Sequence, residues 1–257
     1  MTAPIVIVGA GQAAASFISR HVALANPQPL LLIGEESHPP YQRPPLSKKY
    51  LLGELERERL FIRPLEWYQE QNIDLRLDTR VEAIQPEHHC VQTASGESIE
   101  YDKLLLCTGS SARRLPAAIG GSLDGVFTLR SIADIDRNSP EFQSGRKLLI
   151  IGGGYIGLEA GAVLHQLGMR VTVLEALPRV LQRVTAPVVS AFYERLHDEE
   201  GVRVMTSSLV TSIEGELRVE RVFCADGSEF DAGLVIIAVG VLPNTALAES
   251  AGLRVED

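Results

Sequence analysis

Two stretches of this 257-residue chain repeat one pattern, and that repeat restricts the folds open to it. Residues 4 to 8 (PIVIV) are a short, continuous, β-branched run ending at Gly9, as expected of a parallel strand covered on both faces. A helix should follow from about Gln12 to Leu24, stopped by Asn26 and Pro27, and LLLI (30 to 33) supplies the next strand of a βαβ unit. The pattern returns as KLLIIGGG (147 to 154), a helical IGLEAGAVLHQLG and RVTVLE (170 to 175).

The repeat extends past the glycine loops. After the first βαβ come TRVEAI and HCVQTA, a turn at Ser95 and Gly96, and YDKLLLCTG; after the second come VRVMTSS, VTSIEG and ELRVERVFCA, a turn at Asp226 and Gly227, and FDAGLVIIAVG. Each half therefore reads as a doubly wound sheet with a β-meander inserted before its last parallel strand. The expected class is α/β, with two Rossmann-like dinucleotide-binding domains, the second inserted into the first. The first domain is expected over 1–112, completed by 244–257, and the second over 113–243. Residues 109 to 145, rich in Gly, Ser and Pro, read as the crossing segment, in which Arg113 and Arg114 are solvated. Residues 37 to 63 form a proline-containing excursion whose aromatic and apolar content predicts an ordered loop.

With 33 acidic and 24 basic residues the formal charge is −9, which removes the electrostatic footprint of a nucleic-acid binder. No apolar stretch reaches the roughly 18 residues of a membrane span, and no basic residue precedes the first apolar run, so no secretory leader is expected. Cys90, Cys107 and Cys224 lack the spacing of a redox pair or zinc knuckle and read as reduced structural thiols. A cytoplasmic protein is expected; its oligomeric state is left open. His88, His89 and Cys90 could suggest a metal, but neighbouring residues on a strand point to opposite faces, so they read as part of the meander. Trp67 and Tyr68, after Pro64, read as packing residues of a short helix.

In the first loop, GAGQAA, Gly9 and Gly11 stand at the tight turn and Ala14 where a third glycine can be alanine. Glycine removes the Cβ that would keep a pyrophosphate from the backbone, and the helix N-terminus adds N–H donors and a positive dipole end. Glu35 follows Gly11 by 24 residues, where a carboxylate can accept ribose hydroxyls. The second loop, GGGYIG, offers Gly152, Gly154 and Gly157, with Glu175 21 residues after Gly154. Glu175 would repel a 2′-phosphate, so the second site should prefer NAD over NADP.

The stretches GAGQAA, IGEESHPPYQRPPLSKKYL, YDKLLLCTGSSARRLP, LIIGGGYIGLEAG, VTVLEALPRVLQR and VIIAVGVLPNTALAESAGL together resemble the FAD-dependent pyridine nucleotide oxidoreductases. The branch is that of ferredoxin and rubredoxin reductases and apoptosis-inducing-factor-like proteins. The resemblance implies FAD contacts at Gly9, Gly11, Ala13, Ala14, Glu35, Arg43, Lys48, Val81, Thr108, Gly109 and Arg130. It implies NAD contacts at Gly152, Gly153, Gly154, Tyr155, Ile156, Gly157, Glu175 and Gly240, with Arg183 toward the adenosine end. It further implies a catalytic pair beside the flavin, Lys48 held by Glu159, in which an ammonium stabilises the negative charge arriving with hydride.

Two departures from the wider family are visible. Where related disulfide reductases carry cysteine near the flavin, this chain has Ser47 and Lys48, so electrons are expected to leave singly for an iron-sulfur or iron-only protein. The chain also stops four residues after AGL, so the FAD site, which family members close with a further segment, is expected to be incomplete in it. The expected activity is that of a FAD-dependent NADH:ferredoxin oxidoreductase, passing electrons to a small ferredoxin, or a rubredoxin, of an oxygenase system. The alternative is a nucleotide-binding module that holds NAD without redox turnover.

Overall fold

The computed structural model describes residues 3–256. They fall into two compact units. Unit 1 gathers the chain up to Gln42, Glu56–Ser111 and everything from Pro243; unit 2 gathers Arg43–Leu55 and Ala112–Leu242.

Unit 1 contains, in chain order, β1 (Ile5–Val8), α1 (Gln12–Ala23), β2 (Leu30–Ile33), α2 (Leu65–Glu70), β3 (Ile73–Arg76), β4 (Val81–Gln85), β5 (Cys90–Thr93), β6 (Ser98–Glu100) and β7 (Lys103–Leu106). A parallel sheet has the order β3-β2-β1-β7, and β4-β5-β6 form an antiparallel meander. The period of two along each strand decides what covers each face. Ile5 and Ile7 pack with Ala14 and Ile18 of α1 and Tyr68 of α2. Val6 and Val8 pack with Ile84, Val91 and Tyr101 of the meander region. Burial on both faces explains the unbroken apolar runs of β1 and β2.

After β8 (Ser110–Ala112), unit 2 holds β9 (Val126–Phe127), α3 (Ile132–Asn138), β10 (Lys147–Ile151), α4 (Tyr155–Gln166), β11 (Arg170–Leu174), α5 (Pro187–Glu199), β12 (Arg203–Met205), β13 (Val210–Glu214), β14 (Arg221–Cys224), β15 (Glu229–Asp231) and β16 (Leu234–Ile237). The chain returns through β17 (Val241–Pro243) to α6 (Ala246–Ser250). The parallel order here is β12-β11-β10-β16-β9, with the meander β13-β14-β15 beside it. Leu149, Ile151, Val235 and Ile237 form one core with Ile213, Val222 and Cys224 of that meander.

Several local readings are corrected. The segment VRVMTSS does not start a meander: β12 joins the parallel sheet beside β11, and β3 does the same beside β2. Residues 109 to 145 are more than a crossing, since β9 adds a fifth parallel strand and α3 is started by a capping box between Ser131 and Asp134. His88 and His89 are not on a strand; His88 ends the 3-10 turn Pro86–His88 and His89, with φ +49°, caps it. The excursion is ordered by two 3-10 turns, and its central part, Arg43–Leu55, belongs to unit 2. Helix α5 is missed by apolar periodicity because it buries Ser190 and His197 while exposing Val188 and Phe192.

Tyr68 is fully buried, and desolvation pushes its phenol up to about 12 against the opposing effect of Arg63. A raised phenol leaves the fold at full stability below pH 10 and removes stability as pH climbs from 10 to about 12, because the unfolded chain ionises first. Tyr68→Phe should therefore lose less stability across that window in urea unfolding. A profile parallel to that of the parent would show that Tyr68 does not carry the loss.

Candidate functional site

In each unit the central strand of the parallel sheet, β1 or β10, ends on a glycine that lets two backbones meet. Gly9 has φ +105°, and a Cβ there would lie 2.1 Å from the Cys107 carbonyl oxygen; Gly152 has φ +114° and its Cβ would lie 2.5 Å from the Ala238 oxygen. The next positions behave differently. Gly11 and Gly154 are the N-caps of α1 and α4, and a Cβ on either would meet nothing within 4 Å. Each thus leaves open space before a helix N-terminus, a cradle that a side chain would fill and that an anionic pyrophosphate fits. Ala14 is buried against the sheet and Ala13 is exposed. A Cβ on Gly157 would lie 2.0 Å from the Gly152 oxygen, so that glycine serves the seating of α4.

The two strand-end carboxylates are held differently. Glu35 is largely exposed and meets Arg80 at 2.9 Å. Glu175 is tied to backbone donors: Gly153 N–H donates to Oε2 at 2.7 Å and Leu177 N–H donates to Oε1 at 2.8 Å. Each oxygen keeps acceptor capacity for a ribose hydroxyl. Tyr155 and Ile156 are exposed on the first turn of α4, and Gly240, at φ +100°, accepts the Arg113 N–H. Arg183 is exposed and makes no hydrogen bond or ion pair among the described residues.

The residues expected on FAD divide between the units. Gly9, Gly11, Ala13, Ala14, Glu35, Val81, Thr108 and Gly109 belong to unit 1; Arg43, Lys48 and Arg130 belong to unit 2. Arg43 donates to the Arg130 carbonyl at 2.7 Å. Val81 opens β4 half-buried, and Gly109 has φ +65°.

Lys48 and Glu159, 111 residues apart, meet at 2.6 Å. Lys48 follows the 3-10 turn Pro44–Ser47, and Glu159 lies just beyond the first turn of α4. The same carboxylate oxygen accepts the Ser47 hydroxyl at 2.8 Å. Tyr50 also donates to Asp136 at 2.7 Å, so the strap is anchored at several points.

Sequence reasoning treated Ser47 only as a missing cysteine, and its role beside Glu159 appears only in the fold. It missed Asn244 altogether: the side chain donates to the Thr108 carbonyl at 2.8 Å and accepts from Ser111 at 2.8 Å, while Thr108 donates to the Asn244 carbonyl at 2.7 Å. A polar residue after Pro243 in a short connection was the available signal.

Two α/β units, each with a glycine cradle at the start of a helix and a carboxylate after the strand that follows that helix, define the class of a protein with two dinucleotide-binding folds. The model of the pyridine nucleotide-disulphide oxidoreductase family matches residues 3–257, and the chain belongs to that family. It is 43% identical over 241 residues to the ferredoxin reductase subunit of 5,5'-dehydrodivanillate O-demethylase from Sphingobium sp. (strain NBRC 103272 / SYK-6), covering 93% of this chain and 58% of that one. It is 40% identical over 258 residues to putidaredoxin reductase of Pseudomonas putida, covering 98% and 61%. A chain in the crystal structure of the covalent putidaredoxin reductase–putidaredoxin complex superposes with a TM-score of 0.94 at 39% identity, over 99% of this chain and 62% of that one. The chain thus spans about three fifths of the length of the curated relatives it matches.

The two glycines of α4 should respond in opposite ways to one methyl group. Gly157→Ala forces backbone against backbone and should destabilise the chain by roughly 2 kcal/mol or more, read by urea unfolding. Gly154→Ala enters open space, so stability should stay within about 1 kcal/mol while pyridine-dinucleotide affinity falls at least about tenfold. Unchanged affinity in a folded Gly154→Ala chain would remove that cradle from the site.

Proposed function

We infer that this chain provides the pyridine-nucleotide and flavin parts of a cytoplasmic NADH-dependent reductase that delivers electrons to a small ferredoxin or rubredoxin. The observation that carries the reading is the Lys48–Glu159 pair, set at 2.6 Å on a strap with no cysteine. Relatives named as ferredoxin–NAD(+) and rubredoxin–NAD(+) reductases support it. All three cysteines are free, as suits a reducing compartment. Burial raises the Cys107 thiol, which keeps it protonated and a poor relay. Among the described residues no helix is long and apolar enough to cross a membrane.

The cradle at Gly11, with Ala13 beside it and Glu35 at the ribose, would hold the adenine and pyrophosphate end of FAD. Val81, Thr108 and Gly109 would complete the contacts within unit 1. The cradle at Gly154, with Gly153, Tyr155, Ile156 and Gly240, would hold NAD, and Glu175 would accept its ribose hydroxyls. When bound, the flavin supplies the conversion between the electron pair of nicotinamide and the single electrons of an iron centre.

What the chain itself contributes is a fixed positive charge. Lys48 is about half exposed, and such a pair adds only about 0–1 kcal/mol to stability. Its value is positional: Glu159 holds a flexible ammonium at one place, where it stabilises negative charge without reorganising at the moment of transfer. Ser47 keeps Glu159 in that orientation.

Flavin absorbance bleached by NADH in the purified protein is the direct test. A chain that binds NAD+ but whose flavin never bleaches would favour a binding module without turnover. In FAD-loaded protein, Lys48→Ala should slow flavin reduction at least about tenfold, a loss of about 1.4 kcal/mol in barrier stabilisation, with NADH affinity nearly unchanged. Stopped-flow reduction at the parent's rate takes Lys48 off the list of catalytic residues.

Calorimetry should also show NAD+ binding at least about tenfold tighter than NADP+, as expected for a carboxylate facing a 2′-phosphate. Glu175→Gln should narrow that gap. Equal or tighter NADP+ binding by the parent chain rejects the role given to Glu175.

A further inference from the structure

We propose that Arg179 is a positioning residue for nucleotide binding in unit 2, acting through the loop that carries Arg183. The proposal rests on the reading of unit 2 as the NAD site. This loop leaves β11 and closes onto the glycine loop. Leu181 N–H donates to the Gly153 carbonyl at 2.9 Å, while Gly153 N–H is bound by Glu175 at 2.7 Å. A Cβ on Gly153 would meet Val180 at 3.0 Å and Glu175 at 3.1 Å, so Gly153 is gripped from both sides. Any displacement of the loop would be felt at the cradle.

The loop does not hold this path by itself. Leu181 has φ +53°, a left-handed conformation that costs a residue with a Cβ roughly 1–2 kcal/mol and persists where surroundings impose it. Those surroundings centre on one guanidinium. Arg179 Nη1 donates to the Thr185 carbonyl at 2.9 Å and to the Ser190 hydroxyl at 2.7 Å, and Nη2 donates to the Gln182 carbonyl at 3.0 Å. Ser190, 1% exposed on α5, donates its own hydroxyl to the Val180 carbonyl at 2.6 Å. Glu194, one turn further along α5, accepts the Val180 N–H at 3.0 Å.

Arg179 therefore pins the backbone on both sides of Arg183 to α5. Arg183 itself is exposed and unpaired among the described residues. A long cation on a free loop would lose conformational entropy when it met a ligand; on a pinned loop the backbone share of that loss is already met in the folded chain. The planar fork is what the site needs, because three acceptors in different directions cannot be served by the point charge of a lysine as well.

The test is calorimetric titration of the full 257-residue chain with NAD+, ADP-ribose and nicotinamide mononucleotide. Arg179→Ala and Arg183→Ala should each weaken NAD+ and ADP-ribose roughly tenfold. Nicotinamide mononucleotide, which lacks the adenosine half, should be unaffected. The double variant should be no weaker than the worse single one, because without the clamp Arg183 is already misplaced. Arg179→Lys should recover only part of the loss. Should Arg179→Ala fail to fold, Ser190→Ala removes one of the three acceptors and should weaken NAD+ about two- to threefold.

Unchanged NAD+ affinity in a folded Arg179 variant with lowered Tm would mean that the clamp serves the fold alone, and would overturn the proposal. So would fully multiplicative losses in the double variant. A parent chain that fails to bind NAD+ overturns the reading of unit 2, and this inference with it; a parent that binds, with variants that match it, overturns this inference alone.

Discussion

The close approach of two backbones at the ends of β1 and β10 governs much of the rest. At Gly9 and Gly152 a carbonyl oxygen of a sequence-distant segment occupies the place a side chain would need. Only glycine admits both that contact and a positive φ. The contact sets β7 beside β1 and β16 beside β10, so the sheet order turns there, with β2 on the other side of β1 and β11 on the other side of β10. The helix that follows must then start at the carboxyl ends of the strands, where open α/β sheets bind ligands. Position and electrostatics of the site thus follow from one steric requirement.

The same architecture is completed differently in the two units. In unit 2, β9 lies beside β16, and all four residues of β16 are buried. In unit 1, β7 is an edge of its sheet, and Leu104, Leu105 and Leu106 are only half-buried although their sequence is as apolar. Helix α6 covers part of the meander face, where Leu247 and Ala251 pack against the core of Val6, Val8 and Ile84. Burial follows from the number of neighbours a strand has, which its own residues do not state.

The chemistry rests on groups held by others. Glu159 receives Ser47 and Lys48 on one oxygen, and Glu175 receives two backbone amides. Ion pairs this exposed add little to stability, so their geometry matters more than their energy. Charges pre-set in this way need not reorganise, which is how they would serve the proposed redox role.

What the sequence determined by itself is local. The strands β1, β2, β10 and β11, the glycine loops and the carboxylates after β2 and β11 were legible because periodicity and left-handed turns depend on near neighbours. The resemblance carried by PYQRPPLSK added the partnership of Lys48 with Glu159, which no spacing revealed. Only the tertiary structure decided the rest. Strands as short as β3, β9 and β12 gain their identity from the neighbour they pair with. Helix α5 hides its character by burying Ser190 and His197, polar residues accepted inside because each finds a hydrogen-bond partner there. Ser47 meets Glu159 across 112 residues and Asn244 meets Thr108 across 136. A hydrogen bond needs two atoms within about 3 Å, and distance in space between such residues is a property of the folded chain rather than of the order of its letters.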